Sequence, residues 1–179
     1  EHIDARKALG HYQENLSTFT KSREYGSYTF NRMAGKNSLA NQSILVSAIV
    51  SVYNAERFLE GCLEDLLGQT IEDRLEIIVV DSGSEQNEGA IVRQFQEKHS
   101  QIHYIRTEER ETVYAAWNRG IEASRGKYIT NANCDDRHRP DAFEIMVNTL
   151  EQKGNVSLVY ADCLITETEN ETFFQCTPV

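Results

Sequence analysis

Along the chain, dense apolar runs alternate with segments whose apolar residues recur every three or four positions. Ile44–Tyr53, Leu75–Val80, Ile102–Ile105, Lys127–Thr130 and Ser157–Tyr160 are short runs, most of them rich in β-branched and aromatic residues, and they predict five strands. In Ile44–Tyr53 and Leu75–Val80 the apolar residues are nearly continuous, as in strands covered on both faces. Between these two, Ala55, Phe58, Leu59, Cys62, Leu63, Leu66 and Leu67 form a helical stripe that Gly68 ends. Asn54 is placed to cap that helix, with Glu56 in its first turn. Residues 88–98 predict a second helix with Ile91, Val92 and Phe95 turned inward. Thr112–Ser124 predicts a third, carrying Val113, Ala116, Trp117 and Ile121, with Gly126 as its stop. Pro140 marks the first position of a fourth, with Asp141 and Glu144 in its first turns. Strands alternating with helices predict an α/β fold, a mostly parallel sheet flanked by helices.

The first 45 residues differ from the rest. They carry six Lys/Arg against four Asp/Glu, whereas residues 46–179 carry 12 against 24. The shift predicts a boundary near residue 43. It separates a helical N-terminal extension (1–43), with Ala5, Ala8, Leu9, Tyr12, Leu16 and Phe19 at helical spacing, from an α/β domain (44–179). A net charge of −10 argues against a nucleic-acid partner bound through a basic surface. The four cysteines, at 62, 134, 163 and 176, show no CxxC spacing, so they predict reduced thiols in a cytoplasmic protein. No apolar run reaches membrane-spanning length.

Candidate chemistry gathers at the strand ends. Open parallel sheets bind ligands at the carboxyl ends of their strands. Three such ends are polar here: Tyr53-Asn54-Ala55-Glu56, Asp81-Ser82-Gly83-Ser84, and Asn133-Cys134-Asp135-Asp136. In a parallel sheet all three point to one edge. Adjacent carboxylates such as Asp135 and Asp136 sit comfortably in water or beside a cation. Mg²⁺ takes one or two carboxylates together with substrate phosphates. The stretch also fits a simple acidic turn, with Asp136 capping it and Asp135 solvated. Tyr53–Glu56 lacks the glycine-rich turn of dinucleotide-binding folds, which disfavours NAD-type ligands.

Five pieces, in order, carry a family resemblance. They are Val46–Glu56, Glu76–Ser84, Ala116-Trp117-Asn118-Arg119-Gly120-Ile121, Arg125-Gly126-Lys127-Tyr128-Ile129, and Asn133–Asp136 with Pro140. Together, Val46–Leu150 resembles the donor-binding half of glycosyltransferase family 2, inverting enzymes with the Rossmann-like GT-A fold. The first 45 residues lie outside it.

The resemblance implies a transferase that moves a sugar from a nucleotide-diphosphate donor, UDP-sugar favoured over GDP-sugar, to a hydroxyl of a glycan, lipid-linked or other acceptor. Ser51, Tyr53 and Glu56 would border the base and ribose. Asp81 would accept the imide N–H of uracil or a guanine edge; alternatively it caps the Ser82–Ser84 turn. Asn133 stands at the first acidic position of the family's Asp-X-Asp motif, and Asp135 at the second, the ligand of Mg²⁺ or Mn²⁺. Asn118 and Arg119 either approach the nucleotide or are plain surface residues. The family's catalytic base lies well beyond the motif, and Asp162 is the weak candidate for it here. The chain is thus expected to stop before the acceptor half and to be a poor catalyst alone. A nucleotide-binding module without catalysis is the alternative.

Overall fold

The computed structural model describes residues 43–175. The N-terminal extension and its boundary lie outside the described residues. Nine elements follow one another: β1 (Val46–Val52), α1 (Glu56–Leu67), a 3₁₀ turn (Glu72–Arg74), β2 (Leu75–Asp81), α2 (Glu88–Gln96), β3 (Ile102–Arg106), α3 (Val113–Ala123), β4 (Tyr128–Asn131) and α4 (Ala142–Gln152).

The four strands form one sheet in the order β3-β2-β1-β4, and every pairing is parallel. Parallel neighbours need crossovers, and here helices supply them, which covers both faces. On one face Ala48, Val50, Val52, Ile77 and Val79 pack with Leu59, Cys62, Leu63 and Leu66 of α1, Val92 of α2, and Phe143 and Val147 of α4. On the other, Ile49, Ile78 and Val80 pack beneath Ala116, Trp117 and Ile121 of α3. The continuous apolar runs of β1 and β2 are thus explained: odd and even positions serve different helices.

Register fixes the functional edge. Val52 lies beside Asp81, and Asp81 beside Arg106, so three strands end level. β4 ends lower, with Asn131 beside Ile49, and the chain then climbs through Ala132, whose N–H donates to Ile49 O at 2.8 Å.

The opposite edge is held by a buried carboxylate. Glu76 is 1% exposed. Its Oε1 accepts from Ser47 Oγ (2.6 Å) and the Arg125 amide (2.6 Å), and its Oε2 from Arg125 Nε (2.9 Å). Gly126 completes this junction between α3 and β4. A Cβ there would meet Ser47 Oγ at 2.6 Å, so only glycine fits. The helix itself stops earlier, with Ser124 as its C-cap.

Three sequence expectations need correction. Ser157–Tyr160 forms no strand: the segment has no regular secondary structure and is exposed, with Leu158 71% and Tyr160 77% accessible. Side-chain pattern reports propensity, but a strand also needs a neighbour to bond with. Pro140 precedes α4 by two positions instead of opening it, because its carbonyl accepts from Thr70 N–H at 2.8 Å outside the helix. Asn54 does not cap α1. Its backbone is left-handed (φ 48°), a conformation Asn tolerates, and its side chain bonds elsewhere.

Candidate functional site

Two turns meet at the carboxyl edge and brace each other. Asn54 Oδ1 accepts from Glu85 N–H (2.8 Å), while the Asn54 N–H donates to Ser84 Oγ (3.1 Å). The Ala55 N–H donates to Glu88 Oε1 (2.6 Å), and the Asn87 N–H to Glu56 Oε2 (2.8 Å). The free amides at the start of α1 and of α2 therefore find acceptors on the opposite turn, in place of local caps.

Asp81 anchors the brace from below. It is fully buried. Oδ1 accepts from the Ser84 N–H (2.8 Å), and Oδ2 from Tyr104 Oη (2.5 Å) and Arg106 Nη1 (2.5 Å). Burial works to raise its carboxyl, but the Tyr104 and Ser84 hydrogen bonds and the Arg106 charge outweigh it and hold it below the ordinary carboxylate range. Burial and the hydrogen bond to Asp81 raise the Tyr104 phenol, against the opposing pull of Arg106.

Above the brace lies a cleft of about 380 Å³. Ser51 lines it from β1, Tyr53 and Asn54 from the turn that follows, Ser82 from the turn after β2, Arg110 and Glu111 from the β3–α3 loop, and Cys134 and Asp135 from the loop after β4. The Arg110 guanidinium lies over the Tyr53 ring, 4.2 Å from its centre. Such a stack is worth about 0.5–1 kcal/mol at an exposed site and leaves the guanidinium donors free for a ligand. Glu111 is held by Arg119 through two bonds, 2.7 and 2.5 Å, which keep its carboxyl low. Among the described residues, Arg110 is the single cation on the walls of this cleft.

The acidic loop is a tight turn. Asp136 N–H donates to Asn133 O (3.1 Å), and Asn133 Nδ2 donates to Asp136 Oδ2 (3.0 Å). Those bonds occupy Asn133 and Asp136 with each other and leave Asp135 exposed on the cleft wall. Burial and the nearby Asp135 push the Cys134 thiol up to about 11, so it brings no thiolate to the site. Among the described residues no group of three His, Cys, Asp or Glu side chains is placed to hold a metal unaided. One exposed carboxylate beside room for a diphosphate does fit a hard divalent cation that draws its remaining oxygens from the ligand.

Of the residues singled out from sequence, Ser51, Tyr53 and Asp135 share the cleft. Asn133 sits in the turn that carries Asp135. Glu56 is exposed, its carboxylate spent on α2, and Asp81 lies beneath the cleft floor. Asn118 and Arg119 are exposed on α3, where Arg119 fixes Glu111. Asp162 lies in the exposed, irregular segment after α4 and does not line the cleft. Sequence reasoning missed Arg110. The signal was available: Arg110 is the lone cation within Glu108-Glu109-Arg110-Glu111, which follows the end of β3 at the same sheet edge.

Comparison with known proteins agrees with this geometry. The model of glycosyl transferase family 2 matches residues 47–172. Glycosyltransferase GlyG of Streptococcus pneumoniae is 32% identical over 111 residues, covering 62% of this chain and 36% of GlyG. The mannosyltransferase PcManGT from Pyrobaculum calidifontis, solved with GDP-Man and Mn²⁺, superposes with a TM-score of 0.54 at 27% identity, over 59% of this chain and 32% of that one. Staphylococcus aureus TarS 1-349, solved with UDP, shares the fold with a TM-score of 0.56 at 20% identity, over 60% and 32%. The chain spans about a third of the length of the curated relatives it matches. With a family match over most of the sequence, and a parallel sheet whose polar turns meet at one edge, this chain belongs to glycosyl transferase family 2.

Proposed function

We propose that residues 44–175 form the donor-binding part of an inverting glycosyltransferase that uses a nucleoside-diphosphate sugar, UDP-sugar favoured, and a hydroxyl acceptor on a glycan or lipid-linked saccharide. The observation that carries this reading is the cleft in which Tyr53, Arg110 and Asp135 converge. Tyr53 offers an aromatic wall for a base, and Arg110 a fork for phosphate oxygens. Asp135, with Asn133 shaping its turn, would hold Mg²⁺ or Mn²⁺. That cation, when bound, neutralises charge on the departing diphosphate. A diphosphate facing one arginine and an aspartate needs such a cation, because the aspartate alone would repel it. The Mn²⁺ in the PcManGT complex supports the assignment. Asp81 acts from beneath, by fixing the Ser82–Ser84 turn and holding Arg106.

Among the described residues, the cleft walls carry no unpaired carboxylate or imidazole besides Asp135 to act as base for the acceptor hydroxyl. Glu111 is neutralised by Arg119, and Asp162 lies outside. That observation favours a second reading, nucleotide binding without transfer by this chain. We place the protein in the cytoplasm, a reading supported by the free thiols of Cys62, Cys134 and Cys163. No helix among the described residues is long and apolar enough to cross a membrane.

Titration calorimetry with UDP and GDP, with and without Mn²⁺, tests binding. UDP is expected to bind more tightly with the metal, and Asp135→Ala to abolish the difference; equal affinities in the parent chain would overturn the metal role. Release of UDP from UDP-sugars on adding acceptor separates transfer from binding alone.

A further inference from the structure

Arg137, the residue directly after the acidic turn, is built into a three-way junction that the donor-binding reading does not use. Its Nε and Nη2 donate to Asp65 Oδ2 (2.7 Å) and Oδ1 (2.9 Å) of α1. The neighbouring His138 N–H donates to the same Asp65 Oδ2 at 2.8 Å. Both side chains of the pair are about 15% exposed, so water and salt screen it poorly. The third guanidinium nitrogen, Nη1, donates to the Asn170 carbonyl at 3.0 Å. Asn170 takes a left-handed backbone (φ 59°), and its side-chain amide donates to the Arg57 carbonyl of α1 at 2.9 Å. Arg57 pairs with Glu169 at 3.2 Å.

Space for the guanidinium comes from a missing side chain. Gly61 lies on α1 one turn before Asp65, and a Cβ there would sit 2.8 Å from Arg137 Nη1 and 3.0 Å from its Cζ. A glycine inside a helix is less stable than an alanine there. Here it provides the bed on which the fork lies flat.

We infer that Arg137 is a positioning residue: clamped between Asp65, Gly61 and Asn170, it sets the Asp135 carboxylate at the cleft and couples that loop to the chain segment 169–172. The inference rests on the metal-assisted donor reading, and it adds how the metal-binding loop is held and what it is held to. Arginine is required because three separate acceptor oxygens are met by one planar fork; a lysine ammonium cannot span them. Anything that orders or displaces residues 169–172 shifts the Asp135 loop through the Arg137–Asn170 bond.

The decisive variant is Gly61→Ala on the full chain. It removes no charge, and its gain in helix propensity offsets part of the cost of displacing the Arg137–Asp65 pair, so the chain should stay folded with only a small loss of thermal stability. The added methyl dislodges the fork, so amide hydrogen exchange should accelerate in residues 133–138 and 169–172 together, while α1 stays protected. Mn²⁺-assisted UDP affinity should fall several-fold, and about tenfold in Arg137→Ala, as when a metal ligand loses its outer support. UDP affinity without metal should not change, and Arg137→Lys should fail to restore either signal. Parent-like exchange in both segments for Gly61→Ala and Arg137→Lys would overturn the clamp. Should the parent bind UDP equally with and without Mn²⁺, the metal role fails by itself, and the exchange comparison still decides the clamp.

Discussion

Glu76→Gln isolates the buried carboxylate at the edge opposite the cleft. The substitution keeps shape and removes charge. In the parent, Oε2 faces Arg125 Nε at 2.9 Å and Nη2 at 2.8 Å, and Oε1 accepts from Ser47 and from the amides of Arg125 and Gly126. Glutamine keeps one acceptor oxygen but turns an NH₂ group toward the Arg125 donors. Two hydrogen bonds to a charged group are worth about 1.5–3 kcal/mol each. Arg125 is 59% exposed and can turn to water, which discounts the loss to about 2–3 kcal/mol. For a domain of this size that is a Tm lower by about 5–10 °C. Burial alone would raise the Glu76 carboxyl, but the Ser47 and Arg125 bonds hold it below its ordinary value of 4.5. Its contribution is therefore complete above that value and fades as pH falls toward the lower folded value. Urea unfolding of parent and variant from pH 7 to pH 3 should give curves that converge at the acid end. Curves that stay parallel, or a gap below about 0.5 kcal/mol at pH 7, the scatter of ordinary surface substitutions, would refute the reasoning.

Further outcomes follow from the same geometry. Arg110→Ala should weaken UDP binding in the presence of Mn²⁺ about tenfold by calorimetry, as one charge-assisted bond is lost, with Arg110→Lys intermediate. Asp81→Asn should lower stability by about 2 kcal/mol in thermal melts, because Arg106 loses its buried anion and the Tyr104 and Ser84 bonds lose their charge. Glu88→Gln should be milder than Glu88→Ala, which leaves the Ala55 N–H without its acceptor at the start of α1; fluorescence-monitored urea unfolding distinguishes them.

Much of the architecture was legible because one force dominates it. Continuous apolar runs at β1 and β2 and the stripe of α1 reflect burial on two sheet faces, and burial leaves its period in sequence. The lining of the cleft was legible where it follows a strand end, as at Tyr53 and Asp135. It was obscure where tertiary bonding redirects a side chain. Nothing local reveals that Glu56 serves the start of α2, or that Asp81 is enclosed by residues from the next strand. Arg110 sits in a polar loop with no period, and only its stacking on Tyr53 marks it. Ser157–Tyr160 shows the converse limit: its pattern is strand-like, yet no neighbour among the described strands bonds to it.

The mutual bracing of the two turns restricts how this domain can be recombined. Asn54 and Glu56 serve amides on the second turn, while Ser84 and Glu88 serve amides on the first. A chimera that grafts only Tyr53–Glu56 from a relative inherits half of a reciprocal contract and strands donors on both sides. Exchange of donor preference between family members should therefore succeed when residues 53–56 and 82–88 travel as one cassette, although a whole helix separates them in sequence.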